Sequence, residues 1–125
     1  MKKVISTVNA PAAIGPYSQA VEANGLVFCS GQLPIHPATG EMAAGGIKEQ
    51  TKQSLANVKA ILEEAGLSIN NIVKATVFLS DIKDFAAMNE VYAETFSSPF
   101  PARSAFAVRD LPKGALVEIE VIASR

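Results

Sequence analysis

One cysteine, one histidine and no tryptophan occur in 125 residues. The single Cys29 excludes an internal disulfide framework and a cysteine-cluster metal site. The single His36 excludes a multi-histidine zinc site. Charge is sparse and balanced, with 11 Lys and Arg against 12 Asp and Glu, a net charge of −1. No basic surplus is available to neutralise phosphates. Aromatic residues are 6% of the chain, too few for a base-stacking platform, so tight general binding of nucleic acid is not expected. No apolar run approaches the ~20 residues that span a bilayer. The start Met1-Lys2-Lys3-Val4-Ile5 has the look of a secretory n-region, but Ser6, Thr7 and Asn9 stand where an apolar core should continue. The expectation is a cytoplasmic protein without a membrane partner. GxSxG, Walker A and GxGxxG motifs are absent, which leaves serine-hydrolase, P-loop and dinucleotide readings without support.

Against those absences, 49% of the residues are hydrophobic. That is enough for a core, and the length predicts one domain over 1–125. Gly46 to Gly66 carries the clearest helical period. Ile47, Thr51, Leu55, Val58, Ile61, Leu62 and Ala65 fall on one face, with Lys48, Gln50, Lys52, Lys59 and Glu63 mostly on the other. A second helix is predicted over Ile82 to Ser97, with Asp81 as N-cap, Asp84 completing a capping box, and a stripe of Ile82, Phe85, Met88, Tyr92 and Phe96. Between them Ile72 to Ser80 alternates, with Val73, Ala75, Val77 and Leu79 on one side. Leu26 to Ser30, Ala102 to Val108 and Ala115 to Ser124 also read as strands. Val4 to Thr7 and Ser18 to Glu22 are weaker candidates. The order β-β-β-α-β-α-β-β predicts an α+β fold, a mixed sheet with two helices on one face. Two helices cover one side of a sheet, yet Leu116 and Ile122 lie opposite Val117, Ile119 and Val121. The uncovered apolar face predicts a homo-oligomer.

Few residues are candidates for chemistry. Arg103 lies in a strand of small and apolar residues behind Pro99 and Pro101. Its planar fork either grips a carboxylate ligand or pairs with Glu118 or Glu120 on a neighbouring strand. Glu118 and Glu120 share the face of Leu116 and Ile122. A carboxylate there has a raised pKa and suits acid–base work, unless it meets solvent or a lysine. Tyr17 either donates its phenol to a ligand or packs at a core edge. Ser30-Gly31 allows close backbone approach to a ligand, or is simply a turn. Asn89 sits beside the stripe of the second helix and must find hydrogen bonds. His36 reads as ordinary surface, and Cys29 as a small buried hydrophobe.

Four segments are familiar together: Ala10-Pro11-Ala12-Ala13-Ile14-Gly15-Pro16-Tyr17-Ser18-Gln19, Ser30-Gly31-Gln32-Leu33-Pro34, Pro101-Ala102-Arg103-Ser104, and Leu111-Pro112-Lys113-Gly114-Ala115-Leu116-Val117-Glu118-Ile119-Glu120. With them the chain resembles, end to end, the Rid (YjgF) family of reactive-intermediate deaminases, and within it the RidA type. The resemblance implies a chorismate-mutase-like fold. It also implies a homotrimer whose sheets surround a central barrel, with three clefts between subunits. The implied activity is hydrolysis of 2-imino acids, formed from 2-aminoacrylate or 2-aminocrotonate, to 2-keto acids and ammonia. Such enamines leak from PLP-dependent serine and threonine dehydratases, so the service is to isoleucine synthesis or to general detoxification. No metal or organic cofactor is implied. Arg103 matches the family arginine that binds the substrate carboxylate, and Glu118 the acid near the attacking water. Tyr17, Ser30, Gly31 and Asn89 match cleft-lining positions. Ala105 stands where RidA proteins commonly carry a cysteine whose backbone touches the ligand. Imine hydrolysis needs no covalent thiol, so the change is expected to be harmless. The resemblance also admits a non-catalytic sensing, regulatory or chaperone-like module using the same cleft, and a ribonuclease, which the charge balance disfavours.

Overall fold

The computed structural model describes residues 1–125. Its elements are β1 (Lys3–Ile5), β2 (Ala20–Ala23), β3 (Leu26–Gln32), α1 (Ile47–Glu64), β4 (Ile72–Leu79), α2 (Phe85–Thr95), β5 (Ala102–Ala107) and β6 (Val117–Ser124). All six strands form one sheet in the order β1-β2-β3-β6-β4-β5. Only the β4–β5 pair is parallel; every other pair is antiparallel. The parallel pair follows from connectivity, because α2 carries the chain from the end of β4 back to the start of β5.

Helix α1 ends where its sequence stops it. Gly66 takes φ +77°, a conformation that disfavours any side chain. The Gly66 N–H then donates to Glu63 O at 3.0 Å, and the Leu67 N–H gives Leu62 O a second donor at 2.8 Å beside the Ala65 N–H, so the last carbonyls of the helix are satisfied. At the other end Glu49 accepts from the Gly46 N–H at 2.9 Å, and that bond holds its carboxyl below the usual range. Leu55, Val58, Ile61 and Leu62 are buried as the period requires. Gln50 departs from it: expected on the polar face, it is buried, because its Oε1 accepts from the Leu116 N–H at 2.8 Å.

The second helix begins later than expected. Asp81 accepts from the Lys83 N–H at 2.9 Å, which closes a short 3-10 turn over Ile82–Asp84. Only then does α2 start, and Asp84 makes no capping bond. Ile82 is consequently exposed, and Phe96 lies just past the helix, stacked on Tyr92 at 4.3 Å. A register shift between Ile72 and Lys74 turns Val73 outward and buries Ile72 instead. From Ala75 onward the expected alternation holds. Strand ends move by a few residues: β1 and β2 are displaced, β3 reaches Gln32, and β6 begins only after a turn at Pro112–Gly114.

Both helices cover one sheet face. Val27 and Cys29 of β3, Ala75, Val77 and Leu79 of β4, and Val117, Ile119, Val121 and Ala123 of β6 are buried in one core with the apolar stripes of α1 and α2. Cys29 belongs to this core as expected, and burial pushes its thiol up to about 12. The other face is uncovered. Phe28 and Phe106 stand exposed on it, with Val21, Phe78 and Ile122 half-buried around them. Phe78 and Phe106 meet edge to face at 5.5 Å. No helix is long and apolar enough to cross a membrane.

Candidate active site

The seven residues singled out in the sequence fall into two groups on opposite faces of the sheet. Arg103 pairs in register with Ala75, and Ala105 with Val77, so both lie on the helix side. Glu118 pairs with Phe78, which points the other way. Strand β4 also stands between β5 and β6. The expected ion pair of Arg103 with Glu118 or Glu120 therefore does not form, since pleat and strand order together separate them. Glu120 is exposed on the open face.

On the helix side, Arg103 is held by α2. Its Nη1 donates to Asn89 Oδ1 at 2.6 Å. The guanidinium carbon lies 4.6 Å from the centre of the Tyr92 ring and 5.6 Å from that of Phe85. The three ion pairs of the chain all involve other residues. A half-buried guanidinium whose partners are all neutral keeps its charge and part of its fork for an incoming anion. Asn89 finds its hydrogen bond here, as its place beside the apolar stripe required.

On the open side, Tyr17, Ser30, Gly31 and Glu118 line one cleft of about 680 Å³, together with Gln32 and Lys113 among others. Glu118 is half-buried. Burial, and secondarily the neighbouring Glu120, push its carboxyl above the ordinary range. Gly31 lies against it so closely that a Cβ there would sit 2.9 Å from the carboxyl carbon. This approach, rather than a turn, is the reason for glycine at 31. Ser30 Oγ donates to Ser18 O at 2.7 Å, and its N–H donates to Gln19 O at 2.9 Å. Its side chain thus anchors the segment that presents Tyr17, which is half exposed.

Two supporting residues escaped the sequence reading. Gln19 is buried and clamps the loop before β2, accepting from Thr7 N at 2.7 Å and donating to Pro11 O at 2.8 Å. Asn57 is buried on α1 and donates to Leu33 O at 3.0 Å and Ile35 O at 2.9 Å, fixing one wall of the cleft. A polar residue among apolar helical positions is the signal for Asn57; Gln19 has none in local pattern. His36 is exposed, as its loop position predicted, and also lines the cleft. Tyr92, taken as core, is buried and also carries Arg103 on its ring.

Comparison with known proteins identifies the family. A family model described as Endoribonuclease L-PSP matches residues 7–125. A RutC family protein of Pyrococcus horikoshii, PH0854, is 58% identical over 98% of this chain and 98% of its own. The 2-iminobutanoate/2-iminopropanoate deaminase of Capra hircus is 54% identical over 98% of this chain and 90% of its own. A crystal structure of the Rid family protein YyfA from Yersinia pestis superposes with a TM-score of 0.97 at 51% identity, covering both chains completely. With the model spanning nearly the whole sequence and relatives above 50% identity over it, this chain is a member of the Rid (YjgF) family.

Proposed function

We propose that the protein hydrolyses 2-imino acids to 2-keto acids and ammonia, in clefts shared between two copies of the chain. The observation that carries the reading is Arg103: half-buried, braced by neutral groups, and without an internal acid. Relatives at about half identity named 2-iminobutanoate/2-iminopropanoate deaminase supply the substrate class. The substrate is a carboxylate beside a C=N carbon. Arg103 binds the carboxylate and so fixes that carbon in one place. Glu118, ionised, holds a water against the carbon and accepts its proton as the C–O bond forms. That proton passes to nitrogen and gives a carbinolamine; Glu118 then takes the hydroxyl proton and returns it to the amine, the C–N bond breaks as the C=O bond forms, and ammonia leaves a 2-keto acid. Tyr17 and the Ser30-Gly31 backbone line the place where ligand and water meet, and Ala105 offers backbone beside Arg103. Imines are already electrophilic, so this modest apparatus suffices without a metal or a covalent nucleophile.

The two groups lie on opposite faces of one sheet, so one protomer cannot close both on a molecule of three or four carbons. A neighbour can, and the open apolar face gives it a surface to pack on. The reading is a homotrimer with its clefts between subunits, working in the cytoplasm where such enamines are released. With 2-aminoacrylate generated in situ, wild type is expected to accelerate ammonia release and Arg103→Ala to abolish the acceleration. Arg103→Ala and Glu118→Gln chains, co-refolded in equal amounts, are expected to regain about one quarter of the sites, since a cyclic interface joins an intact arginine to an intact acid with that frequency. No recovery in mixed oligomers overturns the shared cleft. Binding of 2-keto acids without turnover overturns the enzyme in favour of a sensing module.

A further inference from the structure

Phe85, Asn89 and Tyr92 stand at i, i+4 and i+7 of α2 and so share one helical face. All three touch the guanidinium of Arg103, Asn89 through Nη1 at 2.6 Å and the two rings at 5.6 Å and 4.6 Å. Tyr92 is the closer ring, 5% exposed, and stacks on Phe96 behind it. Its hydroxyl is buried with no hydrogen-bond partner. Within the chain it is therefore the ring, and not the hydroxyl, that meets Arg103.

We infer that Tyr92 is a positioning residue: the face of its ring is the seat on which the Arg103 guanidinium is held for the substrate carboxylate. A flexible arginine on an edge strand would otherwise sample many rotamers, and each bound carboxylate would have to order it. An aspartate or glutamate at the same place would fix it by ion pairing but would compete with the ligand for the fork. An aromatic face attracts the cation without using its N–H groups. The planar fork lies against the ring, Asn89 takes one nitrogen, and the free edge is left to the anion.

The inference rests on Arg103 as carboxylate anchor, and the test separates the two. Tyr92→Phe, Tyr92→Leu and Tyr92→Met are compared with wild type by thermal melting, by the Kd for 2-ketobutyrate, by KM and kcat, and by the NMR shift of the Arg103 Nε–H. Methionine fills most of the ring's volume without its π face, and serves if the leucine variant does not fold. A proton over a ring face is shielded. Wild type and Tyr92→Phe are expected to show an upfield Arg103 Nε–H, with Kd and KM within about twofold of each other. Tyr92→Leu or Tyr92→Met is expected to lose the shielding and to raise Kd and KM about tenfold, with a smaller change in kcat. A folded Tyr92→Leu or Tyr92→Met with the wild-type shift and Kd overturns the seat. So does a Tyr92→Phe as impaired as the leucine variant, which would return the role to the hydroxyl. A wild type that shows the shielded proton, lost in Tyr92→Leu, but binds no 2-keto acid supports the seat and overturns the deaminase reading.

Discussion

At the scale of single residues, the site is built from side chains held in uncomfortable places. Glu118 is the clearest case. Its carboxyl is pushed up by burial and by Glu120. For a carboxyl with a raised folded pKa, the energetic cost is absent below the unfolded pKa and appears as pH rises through the folded one. Glu118→Gln is therefore expected to melt at a higher temperature than wild type at pH 8, and at the same temperature near about pH 4. The same variant should lose turnover, and with it an acidic limb of the rate profile lying above the ordinary carboxylate range. A lower melting temperature at pH 8 would contradict this. Gly31 is the second case. Gly31→Ala is expected to keep the fold by circular dichroism yet cut turnover about tenfold or more, because the new methyl displaces the Glu118 carboxylate from its place. Which residue types are present was legible in the sequence. Their burial was less so: Gln50, Asn57 and Gln19 read as surface or went unremarked because polarity hides a side chain that is satisfied by distant backbone.

At the scale of elements, periodicity carried most of the fold. The α1 stripe and the β4 and β6 alternation stand where their spacing put them, because burial of one face enforces the period. Departures have local causes: the shift at Val73, and the 3-10 turn at Ile82–Asp84 set by the Asp81 carboxylate. What spacing does not encode is strand order. Nothing in the pattern of β6 says that it inserts between β3 and β4, so the separation of Arg103 from Glu118 was not legible. Helix α1 also does more than cover the sheet. Through Asn57 it holds two carbonyls of the segment after β3. Asn57→Ala strands the Ile35 carbonyl and leaves that of Leu33 with only the Ile35 N–H, with an expected loss of about 1–3 kcal/mol in urea unfolding. An unchanged midpoint would mean water replaces the amide.

At the scale of the whole molecule, the uncovered sheet face decides the behaviour. Phe28 and Phe106 stand exposed at separate points of one face, with Val21, Phe78 and Ile122 half-buried between and around them, and an apolar face of that extent marks an association surface. Phe106→Glu is expected to convert the proposed trimer to a smaller species by light scattering and to remove the proposed turnover, though residue 106 does not line the Glu118 cleft. A trimeric, active Phe106→Glu would show that another surface makes the assembly.

The position of β4 between the arginine strand and the glutamate strand has a kinetic corollary. On the proposed reading, a newly made chain owns two halves of a catalyst and no complete one. Specific activity should then fall on dilution, with a lag on reconcentration as subunits find each other. A protein with such a shared cleft meters its own onset: capacity appears only after enough copies have accumulated to meet.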